Sequence, residues 1–153
     1  MDLKTQQYIR ELESLKAKVA EIDDEEIKSL LVKLFCVRTA GLLEVFIKTR
    51  ISEYVKGRVP KEISRYLTTK FRDITNLKTS RLEEVLNAFS PDWNDAFSKY
   101  LGEHEQQKSS LDSIIAQRHN IAHGQPSNMS LVQMQQYYTD IREIISYLDT
   151  VIR

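Results

Sequence analysis

The amino-acid sequence predicts an all-α protein. Only four Gly and three Pro occur in 153 residues, and alternating β-branched runs that would indicate strands are few. Apolar residues recur instead at spacings of three and four along several segments, which is the period of an α-helix. We therefore expect a helical bundle with two long central helices and several shorter ones.

Two helices are predicted in the first third of the chain. The first covers residues 3–20, with an apolar face of leucine and valine side chains. The second is long and covers residues 24–56. Its apolar stripe, which we expect to face the core, consists of Ile27, Leu30, Leu31, Leu34, Gly41, Leu42 and Val45. Asp24 provides an N-cap for this helix, because a carboxylate can accept hydrogen bonds from the first free N–H groups of a helix. Gly57 and Pro60 mark its end.

Shorter helices follow. Residues 60–73 and 79–89 both have helical periodicity, and Ser90-Pro91 opens a further short helix over residues 90–101. Trp93 and Phe97 are one turn apart in that helix, so we expect both to anchor it to the core.

The last two helices are predicted over residues 105–123 and 129–152, with Gly124 and Pro126 between them. We expect the helix at 24–56 to form the centre of the bundle together with these two. The final helix has a heptad-like apolar seam that requires a partner, either within the chain or in a second copy. The seam consists of Leu131, Met134, Tyr138, Ile141, Ile145, Leu148 and Ile152.

Length and composition narrow the class of protein. A chain of this length favours one domain, which we expect to cover residues 1–153. The lone Cys36 excludes an intramolecular disulfide and a Cys-rich zinc site. No apolar run is long enough to span a bilayer, and the N-terminus lacks the apolar block of a signal peptide. We expect a cytoplasmic protein without a membrane partner.

The charges are segregated although they sum to zero. Residues 48–81 contain 10 basic and 3 acidic side chains, net +7, whereas residues 1–47 carry −2 and residues 82–153 carry −5. A local positive field of this kind attracts a polyanion. The alternative interpretation is a solvated face that happens to be rich in lysine and arginine.

Two arginines interrupt apolar stripes. Arg38 falls among Leu34 and Leu42 on the helix at 24–56, and Arg118 falls between Ile115 and Ala122. A buried guanidinium needs an acid, carbonyl groups, a cleft or a bound anion. A structural salt bridge to Glu44 is one explanation, and a functional site is the other.

Histidines are concentrated beside the second arginine. His119 and His123 are four residues apart and share a helix face with Arg118 and Asn120 nearby. Such a pair can bind a metal, but no acid or cysteine adjacent in sequence completes a ligand set, so we expect no metal site. Histidine suits proton transfer and arginine suits phosphate binding, a combination typical of metal-independent phosphoryl transfer. Arg118 and His123 differ by about 140° around an ideal helix. The helix could unwind, the arginine could curl across, or a second chain could complete the site.

Residues 118–124 read RHNIAHG. This heptapeptide resembles the R-x-x-x-x-H motif of the HEPN superfamily, which includes many metal-independent endoribonucleases. Its place at the end of one helix, before a final long amphipathic helix, strengthens the resemblance. The stretch VRTAGLLEVFI at 37–47 is similar to the arginine–glutamate helix of prokaryotic RiboL-PSP and toxin-like HEPN proteins.

The resemblance implies a dimeric HEPN-type bundle that brings two motifs together. The RNA 2′-hydroxyl would attack the adjacent phosphate and leave a 2′,3′-cyclic phosphate and a 5′-hydroxyl. His123 would transfer protons and Arg118 would bind the scissile phosphate. His119 or Asn120 would orient either group.

Further residues follow from the same resemblance. Arg38 would lie near the phosphate and Glu44 would hold an arginine or histidine. The basic segment would bind flanking RNA backbone in a salt-sensitive manner. Its residues expected to do so are Lys48, Arg50, Lys56, Arg58, Lys61 and Arg65.

Three functions remain open. The first is a homodimeric endoribonuclease that needs no cofactor, acting as a toxin or defence effector and restrained by an antitoxin or a defence-complex protein. The second is a non-catalytic HEPN module that binds RNA, nucleotide or a protein partner. The third is an assembly protein whose motif is only a packed helix end. Toxin groups of the family often carry a tyrosine two residues after the motif histidine. Here that position is Gln125, so regulation through such a tyrosine is not predicted.

Overall fold

The computed structural model describes residues 1–153 and contains seven α-helices, one 3₁₀ turn and no strand. The 3₁₀ turn spans Phe71–Asp73 and follows the third helix directly. The helices are α1 (Leu3–Ala20), α2 (Glu25–Val55), α3 (Lys61–Lys70), α4 (Thr79–Phe89), α5 (Pro91–Glu103), α6 (Glu105–Ala122) and α7 (Leu131–Val151).

Local sequence signals account for the ends of the helices. The side chains of Asp2, Asp24 and Ser130 each accept a hydrogen bond from a backbone N–H in the first turn of α1, α2 and α7. Gly57 and Gly124 end α2 and α6 in the left-handed region, at φ of 76° and 66°. Side chains other than glycine adopt this region at a cost, so these glycines act as stop signals. The predicted bounds of the helices are confirmed to within two residues for most of them.

The core is one cluster of 30 buried apolar residues. The helices α2, α6 and α7 form its centre, α1 packs mainly on α2, and α4 pairs with α5. The apolar seam of α7 lies inside the chain, because Met134, Tyr138 and Ile145 are fully or almost fully buried. The seam is therefore satisfied without a second copy. Trp93 and Phe97 are also buried, as the one-turn spacing predicts.

The buried face of α2 differs from the predicted one in the N-terminal half of the helix, whereas Leu42 of the predicted stripe is fully buried. Ile27, Leu30 and Leu34 belong to the stripe expected to be buried, yet they are 50%, 60% and 45% exposed. The chain buries the neighbouring face instead. Because α2 is apolar on several sides, helical spacing alone does not identify the side that α6 and α7 cover. The residues on that covered face are Val32, Phe35, Cys36, Thr39, Ala40 and Leu43.

The helix α3 lies at the edge of the bundle. None of its residues is buried, and Ile63 and Tyr66 are about half exposed. Leu67 of α3 and Phe71 of the 3₁₀ turn are partly buried against the core and connect this edge to it. None of the seven helices is long and apolar enough to cross a membrane.

Candidate active site

The RHNIAHG segment forms the last turn of α6 and the turn after it. The helix continues to Ala122, and His123 caps it with φ of −99°. Gly124 then turns into the left-handed region, and the N–H of Gln125 donates to the carbonyl of Asn120 at 2.8 Å. This pattern of bonds closes the end of the helix and holds His123 at its exposed tip.

Arg118 is held by two groups from outside its helix. Its Nη1 lies 3.1 Å from Oε1 of Glu44 on α2 and donates to Oδ1 of Asn76 at 2.7 Å. Glu44 is almost buried, whereas 27% of the Arg118 side chain remains exposed. The carboxylate of Glu44 supplies the negative charge that the partly buried guanidinium of Arg118 needs. It fixes the arginine while part of it stays accessible to an anion.

Asn76 is a residue of this site that the sequence interpretation missed. It lies in the segment between the 3₁₀ turn and α4, with φ of 52°, and its own N–H donates to Oε1 of Glu44 at 3.0 Å. It therefore bonds to both members of the Arg118–Glu44 pair. Asparagine is one of the few residues besides glycine that adopt left-handed backbone readily. An asparagine between two predicted helices was the available signal.

The two histidines of the motif lie together on the surface. The rings of His119 and His123 are 4.3 Å apart between centroids, tilted by 51°. Both side chains are exposed. Their i, i+4 spacing brings them to one face, as expected.

Arg118 and His123 form no hydrogen bond with each other within one chain. The arginine bonds to Glu44 and Asn76, whereas the ring of His123 lies against His119. Since α6 stays helical to Ala122, the helix does not unwind far enough to bring them onto one face.

Arg38 has its contacts on α1, away from Glu44. Its Nη2 lies 2.6 Å from Oε2 of Glu11, and its guanidinium lies 4.9 Å from the ring centroid of Tyr8. The pKa of the Glu11 carboxyl is lowered mainly by its hydrogen bond to Arg38. Arg38 lies on the half-exposed side of α2 next to α1, so it is not an arginine in the core.

Cys36 is buried between α2 and α6, and its thiol lies 3.7 Å from the carbonyl oxygen of Ile114. Burial raises the pKa of the thiol to about 12, although the nearby charge of Arg118 acts to lower it. A thiol that stays protonated is a poor nucleophile, so Cys36 is a core residue rather than a reactive one.

The predicted RNA-backbone residues differ in their surroundings. Arg50 is paired with Asp149 at 3.3 Å and Glu53 at 3.5 Å, so its charge is largely compensated. Arg58 lies over the ring of Tyr54. The remaining residues have no carboxylate partner within 4.0 Å, and Lys48 lies one turn along α2 from Glu44, on the same face. These uncompensated residues are Lys48, Lys56, Lys61 and Arg65.

A groove lies beside the motif. It has a volume of about 710 Å³ and separates the N-terminal turn of α4 from the middle and end of α6. His119 and Asn120 form one part of its wall, and Asn76 forms another. We call it the α4–α6 groove. No three His, Cys, Asp or Glu side chains lie close enough together to hold a metal ion.

Comparison with known proteins identifies the family. No curated protein and no solved structure shows significant similarity to the chain. The sequence profile of the RiboL-PSP-HEPN family, however, matches residues 4–153. This match covers almost the whole all-α bundle, and its range includes residues 118–124. The chain therefore belongs to the RiboL-PSP-HEPN family.

Proposed function

We propose that the protein is a metal-independent endoribonuclease. It would cleave RNA by attack of a 2′-hydroxyl on the adjacent phosphorus and leave 2′,3′-cyclic phosphate and 5′-hydroxyl ends. Membership of a HEPN family supports a HEPN-type module, and the arrangement at the end of α6 supports the catalytic role.

The observation that carries the proposal is the state of Arg118. A guanidinium fixed by Glu44 and Asn76 and still part exposed is a preorganised site for a phosphate. Such a group costs little reorganisation when negative charge develops on the equatorial oxygens of the phosphate. Arginine is also suited to phosphate by its planar set of donors.

His123 would provide proton transfer. An imidazole accepts the proton of the 2′-hydroxyl as the O2′–P bond forms. An imidazolium donates a proton to O5′ as the P–O5′ bond breaks. The exposed position of His123 at the tip of α6 leaves its ring accessible to a substrate.

A second copy of the chain would complete the site. Within one chain Arg118 and His123 have separate neighbours, so an arginine and a histidine could meet between two copies. The two His123 side chains would then serve as base and acid. The exposed stripe of Ile27, Leu30 and Leu34 supports dimer formation, because contiguous exposed aliphatic residues mark interaction surfaces.

Flanking RNA would bind the basic segment. Lys48, Lys56, Lys61 and Arg65 carry charges free of carboxylate partners, and they are the residues we propose for backbone phosphates. Binding would weaken as salt rises, because phosphate contacts release counterions.

Uncontrolled RNA cleavage would be harmful to a cell, so we propose that the protein is a toxin or defence effector restrained by a partner protein.

The experiment is an analysis of product ends. The protein is incubated with a defined RNA oligonucleotide and with the same oligonucleotide carrying 2′-deoxyribose at the cut position. We expect cyclic-phosphate and 5′-hydroxyl products by mass spectrometry from the first and no product from the second. Cleavage of the deoxy substrate at the same position would contradict attack by a 2′-hydroxyl.

A second candidate is a HEPN module that binds RNA or nucleotide without cutting. The separation of Arg118 from His123 within one chain favours it if no dimer forms. It would retain RNA at low salt and release no product.

A further inference from the structure

The α4–α6 groove has the size and polarity of a site for one nucleotide. Its volume of about 710 Å³ falls in the range of about 300–1,000 Å³ that small-ligand sites occupy. Of its 11 lining residues only two, Ile115 and Ala116, are apolar, so an apolar ligand would find little surface to bury.

Both signs of charge line the groove. Lys78 and Lys108 are exposed and have no carboxylate within 4.0 Å, so each can bind a phosphate. Glu83 and Asp112 also line it, and Asp112 lies one helical turn from Lys108 on α6. A groove with two cations and two anions is not expected to bind every polyanion equally. It suits a ligand that carries both a phosphate and hydrogen-bond donors.

The carboxylates retain acceptor capacity. Oδ1 of Asp112 accepts the N–H of Thr79 at 2.8 Å, and Oε1 of Glu83 accepts the hydroxyl of Ser98 at 2.8 Å. Each carboxylate therefore keeps a second oxygen. Carboxylate oxygens read the exocyclic amino groups of nucleobases.

One backbone donor at the start of α4 is also free. The N–H of Ser80, which lines the groove, has no acceptor in the chain, as is usual in the first turn of a helix, and it can donate to a phosphate oxygen.

The groove adjoins the proposed reaction centre. His119 and Asn120 line it, and Asn76 lines it while holding Arg118. A nucleotide bound there would be next to the phosphate on Arg118.

From these observations we infer that the α4–α6 groove binds the RNA nucleotide that flanks the cut. Lys78 and Lys108 bind its phosphate, and Glu83 and Asp112 accept hydrogen bonds from its base. Uracil has no exocyclic amino group and offers the two carboxylates only its N3–H, so uridine is disfavoured at that position. This inference rests on the proposed function and adds base selectivity to it.

The test compares cleavage of an RNA library with one randomised position on each side of the cut. The wild type should disfavour uridine on one side. Glu83→Gln should reduce that discrimination by about fivefold or more, because a base contact of this kind carries roughly five- to a hundredfold selectivity. Glu84→Gln is the matched control, since Glu84 is the next residue of α4 and lies outside the groove. It should keep the wild-type preference.

A binding measurement separates this inference from the nuclease proposal. In a His123→Ala background, Lys108→Gln should weaken binding of every oligonucleotide and lower the slope of log affinity against log salt by about one. Lys99→Gln, an exposed lysine on α5, should not. If binding depends on the base and Glu83→Gln abolishes that dependence, the result supports the inference about the groove even when the wild type does not cleave RNA. If the base preference of cleavage is unchanged in Glu83→Gln and the salt slope of binding is unchanged in Lys108→Gln, the inference about the groove is wrong and the nuclease proposal stands. RNA that is neither bound nor cut overturns both.

Discussion

At the scale of single residues, the centre of the site is a group of three side chains from three parts of the chain. Arg118 of α6 bonds to Glu44 of α2 and to Asn76 of the segment before α4. The N–H of Asn76 bonds to Glu44 in turn. The carboxylate therefore compensates the guanidinium and fixes its direction, which is the requirement for binding an anion without reorganisation.

The first prediction concerns Glu44→Gln. The amide keeps an oxygen that can accept the two hydrogen bonds but removes the negative charge. We expect folding to persist with a loss of about 1 kcal/mol in unfolding free energy. Cleavage should fall by about tenfold or more, since small displacements of a positioning group are costly to the rate. The measurements are urea unfolding and kcat on one RNA oligonucleotide.

The matched control for that variant is Glu11→Gln. Glu11 pairs with Arg38 on the α1 side of α2, away from the group around Arg118. Its substitution should leave kcat near the wild-type value. Equal losses of kcat in the two variants would show that Glu44 has no special role in holding Arg118.

A second prediction concerns Cys36 and alkaline pH. The thiol has a pKa raised from 9.0 to about 12 in the fold, so above pH 9 the unfolded chain loses this proton while the folded chain keeps it. Stability should therefore fall by about 1.4 kcal/mol per pH unit from this group. Urea unfolding between pH 8 and 10 tests this, with Cys36→Ala as the comparison. The same decline in both proteins would show that Cys36 is not its source.

Sequence reasoning found part of this site. Arg118 was identified because it interrupts an apolar stripe, and Glu44 was its suggested partner, as the structure has it. The same reasoning grouped Arg38 with them, although its partner is Glu11. Asn76 was missed because its partners depend on how a short connection folds back onto α2. Its residue type marks a turn, but no local pattern shows that the turn contacts Glu44 and Arg118.

At the scale of elements, the end of α6 determines where His123 lies. Gly124 has φ of 66°, and the bond from the N–H of Gln125 to the carbonyl of Asn120 depends on that turn. The hydroxyl of Ser127 donates to Gln117 at 2.7 Å and ties the following loop to α6. The position of the histidine thus depends on backbone geometry as well as on the helix.

A third prediction follows for Gly124→Ala. A Cβ meets no neighbouring atom there, but the left-handed conformation is strained. We expect a loss of about 1–2 kcal/mol in unfolding free energy and reduced cleavage, as the turn that places His123 shifts. Gly102→Ala is the control, because Gly102 is exposed within α5 and has open space around it. It should stabilise the protein by about 0.5–1 kcal/mol. Loss of stability in Gly102→Ala alone would refute the assignment of strain to Gly124.

The helices could be predicted closely, but one face could not. Side-chain caps mark the starts of α1, α2 and α7, and glycine stop signals mark the ends of α2 and α6. The predicted buried face of α2 is wrong in the N-terminal half of the helix, because apolar residues occur on several of its sides and burial depends on which helices pack there. Tertiary packing decides that question.

At the scale of the whole molecule, the basic side chains and the exposed apolar residues occupy different surfaces of α2. The apolar stripe of Ile27, Leu30 and Leu34 lies in its N-terminal half. The basic segment begins at Lys48 near its C-terminal end. The molecule therefore offers one surface suited to a second copy and another suited to a polyanion.

A fourth prediction tests the first of these surfaces. Leu30→Lys should shift the protein towards monomer in sedimentation velocity and lower cleavage per chain, because charge in an apolar interface is costly. Leu3→Lys is the control, since Leu3 on α1 is exposed at 80% and lies outside both the stripe and the basic segment. It should leave the oligomeric state and cleavage unchanged. A wild-type protein that stays monomeric at micromolar concentration and still cleaves RNA would contradict the dimeric site.

The all-α class and family were accessible from the sequence, because composition, helical period and the RHNIAHG segment all agree. The seam of α7 shows where sequence reasoning stops. Its heptad spacing suits a dimer or an intrachain core equally well, and only the assembled fold shows Met134, Tyr138 and Ile145 inside the chain.

The central claim is that His123 belongs to a metal-independent nuclease, and one measurement tests it most directly. Cleavage of a mixed RNA substrate in EDTA is compared among wild type, His123→Ala and His104→Ala. His104 is a suitable control because it lies at the opposite end of α6 from His123, where its ring stacks on Tyr100 of α5. The account predicts cutting by wild type and His104→Ala and none by His123→Ala. Undiminished cutting by His123→Ala, or cutting that EDTA abolishes, would contradict it.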